Sequence, residues 1–350
     1  MRHGLSKGLS TLLALALAMT VVAVSAQPAP RSATVPDVWV DADPGCGGAF
    51  YADVDDCWAL FHAWAMGGER IAGISTVFGN VSGSDAARFA RGWMQQLSAA
   101  HPLKKMPAIH EGRAQALVNA PHPSSSGEAA LAAFLDGFAL TPASGGATLL
   151  MLGPVSNLAS VLQQKPARAT VIRRVIMLGG QPPGMSHWLA VNGRLRMRDY
   201  NVFKDPQAMA VVLKAGVAID FVPVQAAFGY WLNADRLRTE VSGQPALQWL
   251  TDVGMAWERF WRWGFATPGY PPFDLLASGL LFQPERFFCT EVNARMAMFP
   301  SITGDAPGLE LAPPAPSQPR AADSRHRRCR LASGDAVDLI RAARDTLNAR

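Results

Sequence analysis

Val38-Trp-Val-Asp41-Ala-Asp43-Pro-Gly45 and, after an intervening loop, Asp55-Asp56-Cys-Trp-Ala-Leu-Phe-His-Ala-Trp-Ala-Met66 run from a short apolar segment through acids into a long apolar one. Residues 38–40 read as a strand, because β-branched and aromatic side chains suit a pleated, buried surface. Residues 56–66 have the length and composition of a buried helix. Working outward, the pattern repeats. Further strands are predicted at 71–77, 147–152, 171–178 and 217–224, with helices at about 84–97, from about 155, and from Asp205-Pro206. Strands alternating with helices imply crossover connections and parallel pairing. The expected fold class is therefore α/β, an open, mostly parallel sheet flanked by helices, with a Rossmann-like core.

The polar signals follow the strands. Asp41 and Asp43 come after the first, Gly79-Asn80 after the second, Gly153-Pro154 and Asn157 after another, and Gly179-Gly180 after another. Ligands of open α/β sheets bind outside the carboxyl ends of the strands, so these loops are expected to line one crevice. Asp41, Asp43, Asp53, Asp55 and Asp56 place five acids within sixteen positions. Helix capping by Asp55 and dipole complementation by Asp53 account for one or two of them. The remainder is costly to group without a cation, and oxygen donors lacking His or Cys select calcium or magnesium rather than zinc. The spacing is not that of an EF-hand loop. Asp274, set among apolar residues, also asks for a partner. Asn80 after Gly79 has a competing reading as a turn residue, and Asn157 and Asp205 read as helix caps.

With those residues in view, the chain resembles the inosine–uridine-preferring nucleoside hydrolase family. Asp41-Ala-Asp43-Pro-Gly45 with Asp55-Asp56 is similar to the family's signature. In the family's order there follow Ile74-Ser-Thr-Val-Phe-Gly-Asn80-Val, Leu152-Gly-Pro-Val-Ser-Asn157-Leu and Val175-Ile-Met-Leu-Gly-Gly180. Asp199-Tyr-Asn201-Val-Phe-Lys-Asp205-Pro206 and Pro272-Phe-Asp274-Leu-Leu-Ala277 complete the set, so the likeness runs from about Val38 to Ala277. It implies calcium-dependent cleavage of the N-glycosidic bond of ribonucleosides. Asp43, Asp56, Asp274 and the Leu152 carbonyl would hold the Ca2+, with Asp43 also the general base. Asp55, Asn80, Asp199 and Asn201 would hold the ribose, with Asn192 a looser addition, and Asp41 would orient the others.

The chain departs from the pattern twice. Between Gly45 and Asp55 it inserts Cys-Gly-Gly-Ala-Phe-Tyr-Ala-Asp-Val, longer than is usual, which leaves Asp53 as an alternative to Asp55. Phe273 stands before Asp274, where well-studied relatives carry a His thought to protonate the leaving base. The aromatic run Trp257, Phe260, Trp261, Trp263, Phe265 and Tyr270 has two readings, a packed helix face or a stacking surface for a nucleobase. A non-catalytic ribose- or nucleoside-binding protein of the same fold is the alternative from another class. A metal-dependent phosphoesterase is disfavoured by the lack of a Gly-x-x-x-x-Gly-Lys loop and of His-rich ligand sets.

Residues 1–26 follow the grammar of a secretory signal peptide. Arg2, His3 and Lys7 precede an apolar run from Thr11 to Val24, and small residues then lead to Gln27. That run is short for a spanning helix, which needs ~20 residues. The expected organisation is a signal peptide at 1–26, a linker at 27–36 and one α/β domain at 37–350, secreted or periplasmic and without a membrane anchor after cleavage. Four cysteines suit an oxidising compartment, and of the three pairings the sequence-near Cys46/Cys57 with Cys289/Cys329 is the expectation. Removing two basic residues with 1–26 lowers the net charge from +5 to +3. The basic segment Arg320, Arg325, Arg327, Arg328 and Arg330 has no interleaved aromatics to stack bases and reads as a solvated loop, so nucleic acid is not an expected partner. Base preference and homo-oligomer formation stay open.

Overall fold

The computed structural model describes residues 37–47, 53–117, 124–139, 145–184, 199–300, 304–314 and 326–349, with the backbone of 189–190 and 196–197. The expected signal peptide, the linker, Asn192, Arg320 and Arg325 lie outside the described residues. The quoted stretch forms β1 (Val38–Ala42) and α1 (Asp55–Gly67). Then come β2 (Ile71–Thr76), α2 (Gly83–Ala100), β3 (Ala108–His110), α3 (Ser126–Ala139), β4 (Ala147–Met151), α4 (Ser156–Gln164) and β5 (Ile172–Leu178). A two-stranded antiparallel pair, β6 (Leu189–Ala190) and β7 (Arg196–Met197), precedes α5 (Tyr200–Lys204), α6 (Pro206–Lys214) and β8 (Ile219–Val222). Four helices follow: α7 (Ala234–Glu240), α8 (Pro245–Val253), α9 (Met255–Phe265) and α10 (Phe273–Phe282). The chain closes with β9 (Phe287–Glu291), β10 (Asn293–Phe299), β11 (Ala306–Ala312), β12 (His326–Leu331) and α11 (Ala336–Asn348).

Eight strands make one sheet in the order β3-β2-β1-β4-β5-β8-β12-β9. All neighbours are parallel except β12 and β9. Strand order reverses at β1, which pairs with β2 on one side and β4 on the other. Such a switch point opens a crevice at the carboxyl ends of the two strands, because their connections leave toward opposite faces. Asp43 follows β1 and Leu152-Gly153 follows β4, so both stand at that crevice.

The pleat divides the core in two. Val38 and Val40 point into the layer containing α1, α2, α10 and α11, whereas Trp39 points into the layer of α3, α4 and α6. Helix α1 is buried from Asp55 to Ala65, which explains its nearly continuous apolar sequence. It packs against α10, and His62 Nδ1 lies 2.8 Å from Ser278 Oγ across that contact. Among the described residues no helix is long and apolar enough to cross a membrane.

One expectation fails. Arg327, Arg328 and Arg330 are not in a solvated loop but in β12, between β8 and β9. Cys329 and Leu331 are buried while Arg328 and Arg330 alternate with them to solvent, and Arg327, on the buried residues' face, closes a double hydrogen bond onto Asp220 at 2.6 and 2.5 Å. Period-two burial with one paired charge overrides the polar composition. Both disulfides pair as expected, Cys289–Cys329 joining directly opposed residues of β9 and β12.

Candidate active site

Asp41 ends the inward-facing run of β1 and is fully buried. Its register partner on β2, Ser75, donates to Oδ2, and Asn157 Nδ2 donates to the same oxygen at 2.7 Å. Burial still pushes its pKa up to about 7, and Oδ1 has no partner among the described residues. Asn157 is not the helix cap that its position suggested. It lies inside α4, and its amide ties Asp41 to the Thr76 carbonyl (2.9 Å) and to the Arg113 N–H (2.9 Å). Each of those groups is buried and loses its partner if the amide goes. Asn157→Ala is expected to cost roughly 2–4 kcal/mol, read as a fall in chemical-denaturation stability.

Asp43 sits in a slot left by two glycines. A Cβ on Gly79 would come within 1.8 Å of Asp43 Oδ2, and one on Gly153 within 2.7 Å of Oδ1. Only glycine permits backbone to approach a carboxylate so closely. Asn80 N–H donates to Asp43 Oδ2 at 2.8 Å, and the Asp43 N–H donates to Asp56 Oδ1 at 3.1 Å. Burial, then the charges of Asp53 and Asp41, push the Asp43 pKa up to about 8.

Asp55 and Asp56 form the first turn of α1, where the helix N-terminus favours negative charge. Asp55 is not the N-cap; that position is Val54, and it is Asp53 whose carboxylate accepts from the Asp55 N–H at 3.1 Å. Asp56 Oδ2 accepts from Asn80 Nδ2 at 3.1 Å. Asp274, from the first turn of α10, donates its backbone N–H to Asp55 Oδ2 at 3.4 Å. Its own Oδ1 is buried without a partner among the described residues.

Asp55, Asp56 and Asp274 each offer a carboxylate oxygen within 4.8 Å of the other two. Asp43 borders this triad through its N–H bond to Asp56. Asp43, which the family likeness assigned to the cation, lies directly beside this triad, and it is Asp55, not Asp53, whose carboxylate accepts from the Asp274 N–H. Burial dominates in holding Asp55 up at about 6 and Asp56 and Asp274 well above the carboxylate range, with mutual repulsion second. Buried carboxylates this close, one with an orphaned oxygen, fit a hard divalent cation on the chemistry of the donors alone.

The neighbouring strand ends carry the remaining candidates. Asp199 caps α5, accepting from Val202 N–H at 3.2 Å and from Gly180 N–H at 2.6 Å. Gly180 has φ of 87°, which suits glycine and turns its N–H toward Asp199. Burial raises the Asp199 pKa to about 6. Asn201 Nδ2 donates to the Leu152 carbonyl at 2.7 Å, so one lone pair of that oxygen is used and the other is left for a further partner. Asp205 is an N-cap, accepting from Ala208 N–H at 3.0 Å.

The carboxylate cluster at a sheet switch point, followed by these loops in this order, is matched by known proteins. The pattern of the inosine-uridine preferring nucleoside hydrolases covers residues 38–326. The chain belongs to that family. Among curated members of the family, uridine nucleosidase 1 of Arabidopsis thaliana is 28% identical over 57% of this chain and 59% of its own length. The chain thus matches about three fifths of that relative. A non-specific ribonucleoside hydrolase of Escherichia coli is 28% identical over 71% of this chain and 80% of its own length. Among solved structures, a plant nucleoside hydrolase superposes with a TM-score of 0.65 at 16% identity, covering 90% of this chain and all of that one. The inosine-uridine preferring nucleoside hydrolase of Bacillus anthracis gives 0.63 at 16% identity, over 89% of this chain and 100% of that one. At such identity the likeness to the family's structures speaks for the fold.

Phe273, the residue before Asp274, is buried against Trp261 at 5.8 Å and Phe228 at 6.1 Å between ring centroids. Most of the aromatic run is packing. Trp261 and Phe265 are buried 4.6 Å apart, Tyr270 accepts from Trp58 Nε1 at 2.9 Å, and Trp263 points outward. Ser75 escaped the sequence reading, whereas Asn157 and Gly180, which it placed among the crevice loops, hold Asp41 and Asp199.

Proposed function

We propose that the protein is a calcium-dependent ribonucleoside hydrolase that acts outside the cytoplasm after loss of residues 1–26. The observation that carries the reading is the buried triad of Asp55, Asp56 and Asp274 beside Asp43. The reaction breaks the bond from the ribose anomeric carbon to the base nitrogen, joins the oxygen of water to that carbon, and leaves the base with a proton. Asp55, Asp56 and Asp274 would hold the cation, with Asp43 and the Leu152 carbonyl proposed as further oxygen ligands. The cation supplies Lewis acidity that makes water a usable nucleophile near neutral pH. Asp43, with a pKa raised to about 8 chiefly by burial and its carboxylate oriented by the Asn80 N–H, is suited to take the proton. Asn80, Asp199 and Asn201 offer hydrogen bonds that fix the ribose hydroxyls, and the carboxylates stabilise the positive charge of an oxocarbenium-like state. Asn192 is proposed as a further ribose contact. Asp41, pinned by Ser75 and Asn157, positions the β1 end and needs no contact with substrate.

The test is release of free base from uridine, inosine, adenosine and guanosine, with calcium and with chelator. Release from at least one nucleoside, lost with chelator, is expected. Calorimetric binding of nucleosides without released base would favour the non-catalytic alternative. Phosphate released from nucleotides, with no base from nucleosides, would favour the phosphoesterase.

A further inference from the structure

The loop between Gly45 and Asp55 connects the acids of the site, and the structure ties its two arms together at three points. Gly45 abuts the backbone of Asp53 so closely that a Cβ there would lie 2.9 Å from the Asp53 carbonyl oxygen. The Asp43 N–H donates to Asp56 Oδ1 at 3.1 Å. Cys46 and Cys57, three and one positions from Asp43 and Asp56, are joined by a buried disulfide spanning a sequence separation of 11. The Cys57 carbonyl is itself held by Trp93 Nε1 at 3.0 Å, which anchors this end of the bridge to α2. Every acid between β1 and α1 thus lies inside the bridged segment or within three residues of it.

We propose that the Cys46–Cys57 disulfide is a positioning element of the cation site, holding the Asp43 arm against the Asp55-Asp56 turn so that the carboxylates stay gathered without the ion. The proposal rests on the cation reading of the site. Four buried carboxylates repel one another, and without the bridge the inserted loop gives them room to move apart. Opening a longer loop costs little by itself, so length does not keep the acids together, whereas a covalent link does. A site gathered in advance binds more tightly because ordering is not charged against binding. Cation affinity then depends on the compartment in which the chain folds, and a chain kept in a reducing one binds weakly. The second bridge, Cys289–Cys329, links β9 to β12 at the far edge of the sheet and serves as the control.

The experiment measures calcium affinity by calorimetry well below the unfolding temperature. It uses the oxidised wild-type protein, the Cys46→Ala/Cys57→Ala variant and the Cys289→Ala/Cys329→Ala variant. The last retains one bridge, which a small dithiol can open. The dithiol gives up two electrons and two protons, becomes a cyclic disulfide, and leaves thiols on Cys46 and Cys57. Loss of this bridge by either route is expected to weaken calcium binding ~10-fold or more. Loss of Cys289–Cys329 is expected to leave it unchanged. Nucleoside turnover lost with the Cys46–Cys57 bridge should return at saturating calcium, which a merely unfolded protein would not show. Should the alanine variant fail to fold, the reduced and still folded single-bridge protein gives the answer. Equal affinity with and without the bridge overturns the proposal alone. No calcium bound by the oxidised wild-type protein overturns the cation reading and the proposal with it.

Discussion

Asp274→Asn is expected to lower nucleoside turnover at least ~10³-fold and to abolish the calcium-induced rise in melting temperature, while leaving the fold intact. The side chain is nearly isosteric, so the packing of α10 on α1 does not change. What changes is charge. Asp274 Oδ1 has no hydrogen-bond partner among the described residues, and its pKa is driven up by burial and by repulsion from Asp55, Asp56, Asp43 and Asp53. Neutralising it relieves that repulsion, and the variant without calcium should melt no lower than the wild type. Asp56→Asn should lose turnover to the same degree but not gain stability. Its carboxylate accepts from the Asp43 N–H and from Asn80 Nδ2, and an amide satisfies only one of those donors. Full turnover in either variant would remove the triad from the chemistry. The pair separates a cation site from a structural cluster, because a structural cluster would lose stability at both positions.

The wild-type protein without calcium should become less stable as pH rises from about 6.5 to 8, and calcium should reverse that loss. The sign follows from which state holds the protons. Asp41 and Asp43 have pKa values of about 7 and about 8 when folded, chiefly through burial, against 3.8 for a free aspartate. Between those limits the folded chain binds more protons than the unfolded chain, so folding stability is greatest at low pH and declines as they ionise. The effect is on the order of several kcal/mol over the whole titration. His62 acts oppositely at lower pH. Burial between α1 and α10 lowers its pKa from 6.5 to about 4, so its contribution is present above 6.5 and is lost as pH falls toward 4. The window above 6.5 therefore isolates the carboxylates. Calcium binding should release protons there, measured as a dependence of calorimetric heat on the ionisation enthalpy of the buffer. Stability that does not change from pH 6.5 to 8 without calcium would contradict the burial assigned to Asp41 and Asp43.

Much of the framework was legible because it is local. Residues 38–40 and 56–66 predicted β1 and α1 to within two residues, and the Asp-Pro-Gly turn placed the acids at a strand end. That the strand ends would converge followed from the general rule for open sheets. The failures have a common physical origin in long-range pairing. Strand β12 is charged in composition, and only its position between β8 and β9 turns Arg327 toward Asp220. The role of Asn157 depends on β2 and the Arg113 segment meeting at one amide. The Cys46–Cys57 bridge was legible from its short spacing, whereas the contact between Gly45 and Asp53 had no local signature. The identity of Phe273 was visible at once, but its burial against Trp261 and Phe228 was not.

A metal titration of the chelated protein tests the central claim most directly. The protein is stripped with chelator, dialysed, and assayed for base release from uridine and inosine as calcium is added back. Turnover should be absent at first and return in proportion to calcium up to one ion per chain, with magnesium restoring less. Undiminished base release from the stripped protein, or its failure to return while calcium binds, would contradict the assignment of the Asp55, Asp56 and Asp274 cluster as the cation site of a nucleoside hydrolase.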